Sequence, residues 1–300
     1  MRRFFNVARH PTKIILHLSG HGIFHLMPDE TYLKIIYRCR MGRKLNLSNP
    51  TTFNEKLQWL KLYDRRPEYI TCSDKYAARQ ILKKTLGEDY LVPLIGVYNR
   101  VDDIPWDDLP NQFVLKCNHA SGANIICHDK NELNIEESKR QLNKWLRTNY
   151  FWYGREWPYK DIKPLIICEK YLVDEDDREL RDHKFMCFNG EPKCLFVCLN
   201  RYSSNGLNVD FYDMDWNPMP FIRHYPRSGH ILDKPKHFEL MVEISKLLSK
   251  NTLFLRVDFY EANGQLYLGE LTFYPGSGFE EFTPESYDTL LGSWLKLPID

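Results

Sequence analysis

Apolar residues recur at helical spacing through roughly the first seventy positions, then give way to short apolar runs separated by polar turns. Tyr32-Leu33-Lys34-Ile35-Ile36-Tyr37 carries the first helical pattern. Asn54 to Asp64 carries the second, with Phe53, Leu57, Leu60 and Lys61 on one face. Ser73-Asp74-Lys75 predicts the start of another helix, with Ser73 or Asp74 as N-cap. From about 90 the runs Leu91 to Tyr98, Phe113 to Cys117 and Ile125 to Cys127 suit strands, and Ile135 to Tyr150 reads as a charged amphipathic helix. Beyond 165 strands dominate. Leu165 to Cys168 is apolar, and Asn189-Gly190 separates His183–Phe188 from Lys193–Leu199. A helix over about Phe238 to Lys250 precedes Leu253–Tyr260 and Gln265–Leu271, joined at Asn263-Gly264. Asn-Gly between apolar runs is a hairpin signal. The pattern predicts an α+β fold built on sheets rather than βαβ alternation. Its divisions are a helical region over 1–70, a mixed segment over 71–165 and a strand-rich segment over 166–300.

At 300 residues the chain has room for about two domains. Lys plus Arg is 41 against 40 Asp plus Glu, so bulk charge offers no argument for nucleic acid or an anionic membrane surface. Eight cysteines are dispersed, mostly in apolar runs and without a CxxC, which predicts inert thiols in a reducing compartment. Met1-Arg2-Arg3-Phe4-Phe5 opens like a signal peptide, but His10, Pro11, Lys13, His17 and His21 interrupt any apolar core, so secretion is not expected. No run approaches the roughly 18 apolar residues of a membrane span, and Ile14 to Leu26 suits a helix packed on its own domain.

Three constellations carry chemistry. Arg256-Val-Asp258 and Glu270-Leu-Thr272 lie on the two strands of the last hairpin, where residues two apart share a face. Two carboxylates and an arginine on an apolar sheet need a partner, and Mg²⁺ with nucleotide phosphates is one; a surface Arg256–Asp258 pair with Glu270 solvated is the plain alternative. Lys116 ends a strand before the small-residue loop Ala120-Ser121-Gly122-Ala123, whose backbone amides suit phosphate oxygens. An ordinary hairpin would look the same, because this is no Walker A loop. Ile166 to Leu172 runs from an apolar strand into the acidic stretch 174–177. A base could rest on backbone near Lys170 and Leu172, with a following acid on the ribose; a strand running into a solvated loop also fits.

In this order the pieces resemble the ATP-grasp superfamily. The resemblance is most specific to its TupA-like (teichuronopeptide-biosynthesis) branch over about 30–290. It is carried by Ser48-Asn-Pro-Thr-Thr-Phe-Asn-Glu-Lys-Leu-Gln-Trp59, Ser73-Asp-Lys-Tyr-Ala77, Phe188-Asn-Gly-Glu-Pro192, Arg256-Val-Asp-Phe-Tyr260 and Gly269-Glu-Leu-Thr-Phe-Tyr-Pro-Gly276. It implies an ATP-grasp fold of two α+β subdomains gripping ATP, preceded by a mainly helical N-terminal region. ATP would be held by Lys75, Lys116, Ser121, Gly122, Glu169, Lys170, Leu172, Asp176 and Lys184, and Mg²⁺ by Asp258 and Glu270. Arg256 and Lys116 would act in catalysis. Read from the residues, the candidates for the other substrate are Arg201, Tyr202, Arg223 and Ser277. Arg201 and Arg223 border a polar stretch from Asn200 to Tyr225 long enough for a substrate loop, and an ordinary surface charge is the plain alternative for each arginine. One position departs: the usual Glu-x-Asn is here Glu270-Leu271-Thr272, and a hydroxyl is a poorer metal ligand than an amide oxygen, which weakens the case for a second metal.

The activity so implied is ligation of an amino acid to a uronic-acid carboxylate through an acyl phosphate, in cell-surface polysaccharide synthesis. The partners are then an amino acid and a carboxylated glycan, with no nucleic acid. The setting is the cytoplasm, with peripheral attachment to the inner face of the membrane where the acceptor is lipid-linked. Two alternatives compete: a kinase of a glycan or small molecule on the same fold, and a glycosyltransferase using Asp213-Met-Asp215 as a DxD metal site.

Overall fold

The computed structural model describes residues 15–16, 23–173, 180–200 and 206–299. The N-terminal periodicity becomes α1 (Asp29–Met41), which buries Tyr32, Leu33, Ile36 and Tyr37, and α2 (Phe53–Tyr63). Their ends follow from local chemistry. Gly42 closes α1 with φ 69°, a left-handed conformation that glycine adopts without steric cost. Thr52 opens α2 through a capping box. Its hydroxyl accepts from the Glu55 N–H at 3.3 Å, and the Glu55 carboxylate accepts from the Thr52 N–H at 3.2 Å, satisfying two amides that the first turn would leave unpaired. α3 (Glu68–Ser73) and α4 (Ala77–Leu86) follow. The helix expected at Ser73–Lys75 therefore starts at Ala77. Ser73 still ends α3, and the Asp74 carboxylate turns the chain by accepting from the amides of Tyr76 (2.8 Å) and Ala77 (3.2 Å).

β1 (Leu94–Tyr98), β2 (Phe113–Cys117), β3 (Asn124–Cys127) and β4 (Ile166–Lys170) form an antiparallel sheet in the order β1-β4-β2-β3. α5 (Ile135–Leu146) packs Leu142 into its core. The helix expected to reach Tyr150 stops at Leu146, and a separate turn, α6 (Phe151–Gly154), follows. The sequence-based divisions need two adjustments. β4 belongs to the first sheet, between β1 and β2, so that sheet ends at Lys170 rather than 165. α2 is not part of a separate helical region, because Phe53, Leu57 and Leu60 enter the core of the second sheet, with the Phe53 ring 5.0 Å from Phe254.

That second sheet is antiparallel, in the order β10-β9-β5-β6-β7. Its strands are β5 (Asp182–Phe188), β6 (Glu191–Leu199), β7 (Asn208–Asp213), β9 (Phe254–Ala262) and β10 (Gln265–Thr272); β8 (Ile222–Arg223) pairs separately with β11 (Phe282–Thr283). Both Asn-Gly turns close hairpins with positive φ at each residue: 50° and 87° at Asn189-Gly190, 51° and 73° at Asn263-Gly264. α7 (Phe238–Ser249) covers the face carrying Phe185, with the Phe238 ring 5.7 Å away. β7 was not foreseen. It lies inside the stretch expected to be a polar substrate loop, and it is strand because Val209, Asp210, Phe211 and Tyr212 are buried against β6. All eight cysteines are free thiols, six of them buried. Among the described residues no helix is long and apolar enough to cross a membrane.

Candidate active site

The face of the second sheet opposite α7 lines a cavity of about 760 Å³. Its charged side chains come from three neighbouring strands, and register explains why they meet. Lys184 on β5 stands across from Asp258 on β9, and Asp258 stands across from Glu270 on β10. The tight turn alone would not do this. Its register carries Leu268 opposite Phe259, which would leave Asp258 facing Gly269. A bulge at Gly269 shifts the pairing by one and turns Glu270 onto the cavity face. Any side chain at 269 would have its Cβ 2.5 Å from the Tyr260 ring, so glycine lets that ring lie over the bulge.

The resulting cluster is charge-balanced. Arg256 donates to both Asp258 oxygens at 2.7 Å and to Glu270 at 3.4 Å; Lys184 pairs with Asp258 and, at 2.7 Å, with Asp182; Lys75 reaches Glu270 at 2.9 Å. Burial opposes the charges of Arg256, Lys184 and Glu270, yet their partners outweigh it. Asp258 and Glu270 hold Arg256 above its ordinary value, Asp182 and Asp258 raise Lys184, and Lys75, Arg256 and Lys184 hold the Glu270 carboxyl below its own. Lys75 comes from the turn before α4 and also donates to the Ala120 carbonyl at 2.7 Å, so one ammonium joins the Ala120–Asn124 flap to the second sheet. Lys116, Ser121, Gly122, Arg223 and Ser277 line the same cavity.

The profile of the TupA-like ATPgrasp family matches residues 55–296. The chain belongs to the TupA-like ATP-grasp family. No curated protein matches its sequence. Among solved structures it is similar to the D-alanine–D-alanine ligase of Bacillus anthracis complexed with ATP (18% identity, TM-score 0.41, 67% of this chain and 55% of that one). It is also similar to the L-amino acid ligase of Bacillus licheniformis (12%, 0.46, 90% and 63%) and to the ATP-grasp ligase PsnB complexed with a phosphomimetic precursor variant, Mg and ADP (9%, 0.43, 92% and 74%). The chain thus spans little more than half the length of the first of these ligases.

Within this TupA-like ATP-grasp fold the expected site residues divide. Lys75, Lys116, Ser121, Gly122, Lys184, Arg223, Arg256, Asp258, Glu270 and Ser277 converge on the cavity. Glu169, Lys170 and Leu172 are not among its lining residues. Both Glu169 oxygens are engaged, by Arg79 at 2.9 Å and Lys116 at 2.6 Å, and the Lys170 amide donates to the Pro93 carbonyl at 2.9 Å. Asp176, Arg201 and Tyr202 lie outside the described residues. Arg223 is no surface charge: it is almost fully buried, pairing with Glu280 at 3.0 Å and donating to the Pro275 carbonyl at 3.0 Å. Asp213 and Asp215 do not line the cavity. Asp213 instead closes a turn, accepting from the amides of Asp215 (3.0 Å) and Asn217 (2.7 Å). His183 points to the reverse face of β5 and is buried there, with the Glu261 carboxylate near enough to act on it, so only its neighbour Lys184 faces the cavity.

Asp258 and Glu270 offer Mg²⁺ two hard carboxylates side by side. The Thr272 hydroxyl, buried at the cavity wall, has no hydrogen-bond partner among the described residues. Mg²⁺ commonly takes one or two protein carboxylates and completes its shell with phosphate oxygens and water. The donor set fits a magnesium shared with a nucleotide.

Sequence reasoning missed the buried support beneath the Pro275–Gly278 loop. Lys61, fully buried, donates to the Gly154 carbonyl (2.7 Å), the Ser277 carbonyl (2.8 Å), the Ser277 hydroxyl (3.0 Å) and Gln58 (3.0 Å). These bonds hold Ser277 at φ 54°, a conformation uncommon outside glycine. Glu156, also buried, bonds Ser277 and attracts Lys61; burial lowers the lysine and raises the acid. The available signal was a lysine on the apolar face of α2. Nothing local to Glu156 marks it.

Proposed function

We propose that the protein is an ATP- and Mg²⁺-dependent carboxylate–amine ligase that joins an amino acid to a uronic-acid carboxylate of a cell-surface polysaccharide. Membership of the TupA-like ATP-grasp family supports the nucleotide half of this reading. The observation that carries it is the convergence of Lys75, Lys184, Arg256, Asp258 and Glu270 on one cavity face.

In this reading a substrate carboxylate attacks the γ-phosphorus of ATP and ADP leaves. The amine then attacks the acyl phosphate and phosphate leaves. Lys75, Lys184 and Arg256 are fixed by their carboxylate partners before substrate arrives, so their charges need little reorganisation when phosphate charge develops. Mg²⁺, when bound, neutralises phosphate charge beside Asp258 and Glu270. Lys116 reaches the cavity from the first sheet, and the flap over Ala120–Asn124 excludes water that would hydrolyse the acyl phosphate. Arg223 and Ser277 face the acceptor. Arg201 and Tyr202 keep the substrate role read from the polar stretch, Asp176 keeps the ribose role that the family resemblance implies, and the backbone near Lys170 and Leu172 keeps the base. The acceptor is placed on the cytoplasmic side, at the inner membrane face where it is lipid-linked.

The test is Mg²⁺-dependent ADP formation with pooled amino acids and uronic-acid acceptors. ADP and phosphate should form only when both substrates are present, and Asp258→Asn and Glu270→Gln should each slow this about 10²–10³-fold. ADP formation that ignores the amine and leaves a stable phosphorylated product would replace the ligase with a kinase.

A further inference from the structure

The cations lining the cavity are paired, with two exceptions among the described residues. Lys75, Lys184 and Arg256 meet Asp182, Asp258 and Glu270; Lys116 meets Glu169; Arg223 meets Glu280. Arg40 and Lys144 line the same cavity, and neither has a carboxylate partner among the described residues. Lys144 belongs to the flap end, since the carbonyl of its neighbour Trp145 lies 3.2 Å from His119 at the root of the flap. Arg40 belongs to the other end. Its guanidinium carbon is 5.1 Å from the centre of the Phe279 ring, which also carries the Lys61 ammonium at 4.6 Å.

α1 holds Arg40 there firmly. Tyr32 donates to the carbonyls of Trp152 (3.2 Å) and Tyr153 (3.1 Å), and Asp29 pairs with Arg65 at 2.7 Å. Tyr37 packs 6.3 Å from the same Phe279 ring. Beside Arg40 the Lys61 ammonium has the same sign: burial lowers it, the Glu156 carboxylate raises it, and Arg40 lowers it further. A guanidinium resting on an aromatic ring keeps its planar fork of donors free for two parallel N–H···O bonds, and an arriving anion would relieve the repulsion with Lys61.

We propose that Arg40 seats an oxyanion, carboxylate or phosphate, of one substrate at the Phe279–Ser277 end of the cavity. This rests on the ligase reading and adds to it: one substrate carries an anionic group besides the carboxylate that is activated. Two sources share the chemistry, the α-carboxylate of the incoming amino acid and a phosphate on a sugar carrier. Arg40 precedes residue 55, outside the span of the family match, so α1 supplies a specificity contact from beyond that span.

The test uses the full chain, wild type and Arg40→Gln, titrated first with ADP and Mg²⁺, which should bind both alike. Each of the twenty L-amino acids, each α-amide, D-glucuronic acid and D-glucuronic acid 1-phosphate are then titrated into the loaded proteins by calorimetry. At least one amino acid, or the 1-phosphate, should bind wild type and bind Arg40→Gln ten-fold or more weakly, with partial recovery in Arg40→Lys. The matching amide or unphosphorylated sugar should bind both proteins equally, and which pair shows the contrast names the source. Equal affinities for every anionic probe, or none binding the loaded wild type, would overturn the inference. Failure of ADP to bind wild type would overturn the nucleotide reading and the inference with it.

Discussion

Lys75 Nζ lies 2.9 Å from Glu270 Oε1, joining the turn before α4 to the last strand of the second sheet. The same ammonium holds the flap through Ala120, so the pair couples the flap to the carboxylate that would meet Mg²⁺.

This coupling sets an acid-stability prediction. Burial pushes the Glu270 carboxyl up, but Lys75, Arg256 and Lys184 pull it below its ordinary 4.5. A group more acidic in the folded than in the unfolded state contributes stability that is present above pH 4.5 and lost as pH falls below it. Urea-unfolding midpoints of Glu270→Gln should therefore fall less steeply below pH 4.5 than those of wild type. Parallel curves would show that the pairing contributes nothing.

Lys61→Met should destabilise the fold by about 3–5 kcal/mol, the usual cost of removing one partner of a buried pair. It leaves the Glu156 carboxylate without its neighbouring positive charge and the carbonyls of Gly154 and Ser277 without their donor. Pairing Lys61→Met with Glu156→Gln should recover part of that loss. Additive losses in chemical denaturation would mean that the two residues do not interact.

His183 predicts a second pH window. Burial lowers it from 6.5 to about 4, so between these values the unfolded chain binds a proton that the folded chain refuses. Stability should fall as pH drops through that range, by up to about 3 kcal/mol. His183→Leu should flatten the dependence there while leaving ADP formation at neutral pH intact, because the ring faces away from the cavity. A loss of activity at neutral pH with stability unchanged would point to a role at the site.

Thr272 stands where an amide oxygen would be a better ligand, and its hydroxyl lacks a hydrogen-bond partner among the described residues. Thr272→Asn should lower the Mg²⁺ concentration that half-saturates ADP formation by several-fold. An unchanged requirement would show that position 272 does not approach the metal.

Local patterns were legible where local physics decides them. The helical pattern of α2, the two Asn-Gly hairpins and the alternation of Arg256 and Asp258 on one strand are short-range matters, and the sequence reading placed them. β7 escaped because its polar flanks hid four buried residues.

What the sequence determined by itself is the family, the sheet-based α+β class and the residue types gathered around the last hairpin. Only the tertiary structure decided that Glu270 faces Asp258, because a one-residue bulge at Gly269 shifts the register. It also decided that Lys61 of α2 supports Ser277, and that Arg40 of α1 reaches the cavity. Each depends on packing between segments more than 200 residues apart or on a shift that no periodicity announces, since side-chain period fixes a face only within one strand or helix.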